Sequence, residues 1–311
     1  MNSAVLPYKV AIVGCGFVGL SWAIVFARAG HEVRLHDPVP AVLDDALARL
    51  ADTLDRLAMD GMAERPTNDV LANVTVAASL QDAVSGAGYV QESSPERLDV
   101  KQALFRELDN LAPETAILAS SSSGLTTNSV CGDLPGRSRC LVAHPANPPH
   151  LLPAVEIVPA PFTELGSIDR ASEIMRGVGQ VPVVIKEIDG FVMNRLQAAL
   201  AREALDLVES GIAGPEAVDA IMRGSLGLRW SFMGPFETMD LNAPGGFADY
   251  AERYGPGFAR LAGAVAWPEA AVGRVDDAMR RQMPIDRLEE KRVWRDRQLA
   301  SLSKLRSYQK Q

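Results

Sequence analysis

Short apolar runs alternate with segments of helical period through the first part of the chain, and that alternation sets the expected architecture. Lys9–Val13, His31–His36, Val74–Ala77, Ala87–Gln91, Ala116–Ala119 and Val181–Ile185 read as strands. Between the last two, Leu141–Val158 begins as an apolar strand, breaks into a proline-rich turn and resumes as a second apolar strand. Helical periods fill the segment ending at Ala29, residues 40–63, Leu80–Val84, Glu96–Asn110 and Ser172–Gly177. Strands alternating with helices form βαβ units in a mostly parallel sheet, whose strand C-terminal ends carry the site. From Phe191 onward the pattern is almost entirely helical, with helices expected over Phe191–Glu209, Pro215–Met222, Pro268–Met283 and Arg287–Leu305. Glu187-Ile188-Asp189-Gly190 marks the change, so residues 1–188 and 189–311 are expected as separate domains.

Composition narrows the class. Of 311 residues, 47% are hydrophobic and 23% charged, a balance that can bury a proper core. The net charge of −8, without a run of lysines or arginines, argues against a nucleic-acid partner. No apolar stretch is long enough for a membrane span. The three cysteines lack CxxC spacing, so neither a disulfide framework nor a metal site is expected. With no signal-like segment before the first strand, the expected location is cytoplasmic.

The first strand runs into Gly14-Cys15-Gly16-Phe17-Val18-Gly19, then a helix, a strand and Asp37, eighteen residues after the last glycine. Each part has a task in dinucleotide binding. Gly14 permits the tight turn, Gly16 lets a pyrophosphate approach the helix N-terminus, and Gly19 lets the helix pack on the strand. Cys15, Phe17 and Val18 complete that loop, and Asp37 suits ribose hydroxyls. An acid there, followed by Pro38 and Val39 with no positive charge, favours NAD over NADP. The fold expected is therefore α/β, a Rossmann-type doubly wound, mostly parallel sheet followed by an all-α C-terminal domain.

Leu141–Val158 carries two ionisable groups of interest, His144 at the end of its first strand and Glu156 within the second. Six prolines between Pro145 and Pro161 stiffen the loop around them. A stiff loop holding an imidazole near a carboxylate can present a general base, although a histidine after a strand is more often a satisfied structural residue. Other strand ends are chemically loaded: Gln91, Glu92 and Glu96 with Lys101 follow one strand, and Ser120 to Ser123 follow another. A serine run is more often a turn or a helix cap than a site, and no GxSxG elbow is present. Asn194 stands on an otherwise apolar helix face, where a buried structural amide is an equal reading.

With these passages in view, the chain resembles the 3-hydroxyacyl-CoA dehydrogenase superfamily. It is most similar to the lambda-crystallin branch, whose enzymatic activity is L-gulonate 3-dehydrogenase. IVGCGFVGLSWA, QESSPERLDVKQALF, LASSSSGL, VAHPANPPHLLPAVEIVP and GFVMNRLQ carry the superfamily likeness. The wording HPANPPHLLPAVEIVP, the passage RWSFMGPFETMDLNAPGG and the closing KRVWRDRQLASLSKL point to the branch. The resemblance implies His144 as catalytic base, Glu156 as its orienting carboxylate, and Ser123 and Asn194 as polar groups around the reacting oxygen. It also implies Glu96, Lys101, Asn147 and Ser123 along the ribose and nicotinamide end of the cofactor. Where many acyl-CoA members have Asn-Thr before that serine, this chain has Ser121-Ser122.

The implied chemistry agrees with the residues. Oxidising a secondary alcohol requires the hydroxyl proton to be taken as hydride leaves the same carbon, and imidazole is suited to take it. A carboxylate on an apolar strand is costly to bury alone, which favours pairing Glu156 with His144. The substrate expected is a small-molecule 3-hydroxy acid or its CoA thioester. The acidic face of residues 40–63 disfavours CoA, since that helix lies near the CoA in the acyl-CoA enzymes. Arg229, after a glycine-rich turn, is a candidate clamp for a free carboxylate, a surface or inter-subunit ion pair being the plainer alternative. A 6-phosphogluconate-type enzyme would use a lysine on the helix opening the second domain, and none lies between Lys186 and Lys291. L-Carnitine dehydrogenase, which shares the His–Glu arrangement, and a non-catalytic NAD-binding scaffold are the remaining alternatives. The resemblance also implies a homodimer through the helical domain; Phe232, Met233, Phe236 and Met239 fit either that face or internal core.

Overall fold

A computed structural model describes residues 8–263 and 266–308. The chain divides into two compact units, residues 1–199 and 200–311. In the first, strands β1 (Lys9–Val13), β2 (Glu32–His36), β3 (Val74–Val76), β4 (Tyr89–Glu92), β5 (Ile117–Ser120), β6 (Cys140–Pro145), β7 (Ala154–Pro159) and β8 (Val181–Val184) form one sheet. Its order is β3-β2-β1-β4-β5-β6-β7-β8, parallel throughout except for the antiparallel pair β6–β7. The helices of this unit are α1 (Phe17–Arg28), α2 (Pro40–Asp44), α3 (Ala46–Met59), α4 (Thr67–Leu71), α5 (Leu80–Val84), α6 (Leu98–Leu111), α7 (Thr127–Cys131), α8 (Leu165–Gly177) and the first half of α9 (Phe191–Glu209).

Both faces of the sheet are covered, which explains why its central strands are continuously apolar. Along β1, Val10 and Ile12 join one core with Trp22, Phe26 and Tyr89, while Ala11 and Val13 join the other with Phe105, Leu108 and Leu118. The edge strand β8 is different: Val181, Val183 and Val184 are all about half exposed.

Several element boundaries depart from the sequence reading. The single helix expected over residues 40–63 is two, broken at Asp45 (φ −109°, ψ 2°) and finished at Met59. Packing decides this: α3 buries Ala46, Leu50 and Leu54, whereas α2 buries nothing and need not share its axis. Helix α6 begins at Leu98 and not at Glu96, because the Glu96 carboxylate is turned toward the loop after β5. Helix α8 runs from Leu165 and includes the expected Ser172–Gly177, and His31 precedes β2.

The second unit is helical: the rest of α9, then α10 (Pro215–Gly224), α11 (Leu226–Trp230), α12 (Pro235–Leu241), α13 (Gly246–Leu261), α14 (Glu269–Gln282) and α15 (Leu288–Tyr308). Phe247, Ala251 and Met279 form one small core, with Trp267 against them; Met233, Leu241 and Leu288 form another. Asp240 is buried and accepts from the Phe247 amide (2.7 Å) and the Arg280 guanidinium. Helix α13 continues through Gly255-Pro256-Gly257, a triplet that locally argues for a turn. Of the four apolar residues considered for a buried face, Met233 is buried but Phe236 is 48% exposed.

Candidate active site

The glycine loop has the shape a dinucleotide needs. Gly14 lies at φ +95°, and a Cβ there would meet the Ser93 backbone at 2.6 Å. A Cβ on Gly19 would sit 1.8 Å from the Gly14 carbonyl oxygen, so helix and loop touch with no room for a side chain. Gly16 faces open space, with nothing within 4 Å of its would-be Cβ. It is the N-cap of α1, no side chain caps that end and no acid occupies the first turn. These first amides suit a phosphate. Phe17 is 64% exposed beside them. Asp37 is held in place by the Cys15 amide (2.9 Å to Oδ2) and the Val39 amide (3.0 Å to Oδ1). The Cys15 thiol is buried, and burial together with the Asp37 charge pushes its pKa up to about 12, so it stays an uncharged packing group. The residues present fit NAD.

The antiparallel pair β6–β7 brings the chemistry together. His144 and Glu156 are register partners across the ladder, and His144 Nδ1 lies 2.8 Å from Glu156 Oε2. The other carboxylate oxygen, Oε1, accepts from the Val192 and Met193 amides at 2.8 and 3.0 Å, the exposed donors at the start of α9. Because an ionised carboxylate only accepts, Nδ1 carries the hydrogen and Nε2 is left with a free lone pair. Phe191 packs its ring 5.4 Å from the imidazole and is fully buried, at φ +51°. A non-glycine residue in the left-handed region is strained, and here the strain sets the first turn of α9 against Glu156.

His144 lines a cleft of about 300 Å³ with Val18, Ser93, Ser94, Glu96, Lys101, Ser121, Ser123, Pro145 and Asn147. His144, Ser123, Glu96, Lys101, Asn147 and Val18, all singled out from sequence, therefore meet in one place. Asn194 joins them through Ser123, whose carbonyl oxygen accepts from Asn194 Nδ2 at 2.7 Å. All of these residues belong to the first unit.

Within the cleft the charged groups are already engaged. Glu96 Oε1 accepts from the Ser122 hydroxyl (2.7 Å) and the Ser123 and Gly124 amides (2.9 Å each). Burial raises the Glu96 pKa, but those three donors and the Lys101 charge outweigh it and hold the carboxyl below its ordinary value. Lys101 is 1% exposed and binds Glu92, itself fully buried, at 2.8 and 3.0 Å. Ser120 also donates to Glu92, at 2.6 Å. Sequence reasoning noted Glu92 at a strand end without assigning it a role. The signal was an acid closing an apolar strand, beside the one that singled out Glu156, an acid within such a strand. Gln91 and Ser121 stand at the same two strand ends and were likewise given no role of their own, and nothing local marks Trp22.

Arg229 lies in the second unit, on α11, half-buried. Among the described residues of the chain its guanidinium has no carboxylate partner. No cluster of metal-ligating side chains occurs among the described residues, and no helix among them is long and apolar enough to cross a membrane.

Residues 9–188 match the family model of the 3-hydroxyacyl-CoA dehydrogenase NAD-binding domain, and residues 190–266 that of the C-terminal domain. The lambda-crystallin homolog of Bos taurus is 43% identical, covering 96% of each chain. An L-carnitine dehydrogenase of Oceanobacillus iheyensis is 39% identical over 80% of each. Among solved structures, a 3-hydroxyacyl-CoA dehydrogenase from Archaeoglobus fulgidus superposes with a TM-score of 0.77 at 26% identity, covering 96% of this chain and 99% of its own. With the nucleotide loop, the His–Glu pair and this likeness agreeing, the chain belongs to the 3-hydroxyacyl-CoA dehydrogenase family of NAD-dependent enzymes acting on a CH–OH group.

Proposed function

We propose that the protein oxidises the secondary 3-hydroxyl of a free 3-hydroxy acid to a 3-keto group, with an activity most like that of L-gulonate 3-dehydrogenase. The observation that carries the reading is the His144–Glu156 pair, which leaves Nε2 as a base. Nε2 takes the hydroxyl proton, and Glu156 faces the imidazolium so formed, as in the logic of the catalytic triad. NAD, when bound, accepts the hydride. Ser123 and Asn194 lie within reach of the same cleft and hold the reacting oxygen. Residues 1–188 bind NAD, with Gly14 to Gly19, Asp37, Glu96, Lys101 and Asn147 along the cofactor; residues 189–311 are the helical substrate and dimerisation domain.

Charge supports a free acid over a CoA thioester. The cleft of about 480 Å³ beside α1 and α3 sets Arg49 and Arg56 against Asp52 and Asp60. Such a cleft has no net positive charge to offer the phosphates of CoA. Arg229, whose guanidinium has no carboxylate partner among the described residues, is suited to a substrate carboxylate. The branch part of the reading draws on the lambda-crystallin homologs, which match over nearly the whole chain. The exposed Leu196, Leu200 and Leu205 of α9 support a homodimer. Free thiols at all three cysteines support a reducing, cytoplasmic location.

The test is a side-by-side assay of NADH formation with L-gulonate, 3-hydroxybutyrate, L-carnitine and 3-hydroxybutyryl-CoA. The highest kcat/KM is expected for a free hydroxy acid without a trimethylammonium group. Preference for the thioester, or for L-carnitine, would replace this reading with that one. Arg229→Met is expected to raise KM for the free acid far more than for the thioester.

A further inference from the structure

Behind the wall of the His144 cleft stands a chain of polar side chains whose hydrogen-bond directions can be worked out. Tyr89, Gln91 and Trp22 are fully buried. Tyr89 Oη donates to Gln91 Oε1 at 2.8 Å. Gln91 Nε2 donates to Ser121 Oγ at 2.8 Å and, more weakly, to the Ala143 carbonyl at 3.4 Å. The reversed amide would set Gln91 Oε1 against that carbonyl, acceptor to acceptor, which fixes the orientation. Trp22 Nε1, which can only donate, gives Ser121 Oγ a second N–H at 3.2 Å. Both lone pairs of Ser121 are then engaged, so its own hydrogen goes to its third neighbour, Ser93 Oγ, at 2.8 Å. Ser93 is thereby an acceptor within the protein. Its own hydroxyl hydrogen meets no partner among the described residues, and its side chain lines the cleft with His144. The Ser93 backbone is fixed from two sides, its amide on the Val13 carbonyl (2.7 Å) and its carbonyl against Gly14.

We propose that Ser93 is a cofactor-binding residue whose hydroxyl donates to an oxygen acceptor on the nicotinamide-riboside half of NAD. This rests on the reading that the reacting end of the cofactor lies in the His144 cleft. Ser121, Gln91 and Trp22 are positioning residues: they aim the Ser93 hydrogen into the cleft, and a chain of aligned hydrogen bonds polarises the donor at its end.

The test compares NADH with ADP-ribose, which lacks the nicotinamide riboside, as ligands of the full-length wild-type protein and of Ser93→Ala. NADH is followed by fluorescence and ADP-ribose by calorimetry. For Ser93→Ala the NADH Kd is expected to rise about 3- to 10-fold, the range of one neutral hydrogen bond, with the ADP-ribose Kd unchanged. Ser93→Cys, of similar size and a far weaker donor, is expected to shift the same way. Equal losses for both ligands would assign Ser93 to the glycine loop it touches, and an unchanged NADH Kd would remove the contact; either overturns the proposal. Wild-type protein that binds ADP-ribose as tightly as NADH, and in which Ser93→Ala alters neither, would overturn the placement of the nicotinamide itself.

Discussion

His144 and Glu156 face one another across the antiparallel ladder β6–β7, with Nδ1 2.8 Å from Oε2 and the second carboxylate oxygen capping α9. One side chain thus does two things: it selects the imidazole tautomer and ties the start of α9 to the sheet.

That double role separates two substitutions. His144→Asn should lower kcat by about 10²–10⁴-fold while leaving NADH affinity nearly intact. In Glu156→Gln the amide can donate to Nδ1, moving the hydrogen to Nε2 and removing the base, so a loss of similar size is expected. Rapid-mixing measurement of NADH formation checks both. A His144 variant that keeps most of its turnover would remove the base from the mechanism.

The two glycines at the ends of the loop should fail in different ways. A Cβ on Gly16 meets nothing, so Gly16→Ala should fold with wild-type thermal stability and lose NADH affinity by at least about tenfold. A Cβ on Gly19 would fall 1.8 Å from the Gly14 carbonyl oxygen, so Gly19→Ala should unfold at markedly lower temperature. Equal stability of the two variants would contradict the contact.

Lys101 offers a test of stability against binding. Its ammonium and the Glu92 carboxylate are both fully buried and joined at 2.8 Å. Lys101→Met would strand a charge in the core, which costs about 3–5 kcal/mol in urea unfolding. A variant of wild-type stability whose NADH affinity alone falls would assign the lysine to the cofactor and not to the fold.

The histidines set an acid limit. Burial lowers the pKa of His31, His36 and His150, and the Arg28 charge adds to the effect at His150. A folded pKa below the unfolded value means that the unfolded chain binds more protons in between, so stability rises with pH there. This contribution is complete above the ordinary imidazole value of about 6.5 and is lost as pH falls through the folded values. The melting temperature should therefore be lower at about pH 5 than at about pH 7.5, and His150→Asn should lose part of that slope. An unaltered slope in the variant would show that His150 titrates alike in both states.

The parts legible in the sequence are those whose partners are close along the chain. β1, the glycine loop, α1, β2 and Asp37 form one continuous βαβ unit, and the Cys15 amide reaches Asp37 across only 22 residues. His144 and Glu156 are joined by a single hairpin, so a strand end and an acid in an apolar run sufficed to single them out. The helix boundaries at Asp45 and Leu98 were not legible. Amphipathic period alone does not show which turns find a surface to pack on, or which carboxylate leaves a helix for a neighbouring loop.

By itself, then, the sequence determined the α/β order and the nucleotide loop and singled out His144 and Glu156 as candidates, because local pattern and short-range pairing are enough for each. Only the tertiary structure decided what surrounds them. The sheet order places β4 beside β5 and lays α1 against them, so that Trp22 reaches Ser121 over 99 residues and Glu92 finds Lys101 and Ser120. Serines that read as a turn become the inner wall of the cleft for that reason. A hydroxyl has no preferred direction until its neighbours are known, and those neighbours are set by strand order, which no local pattern encodes.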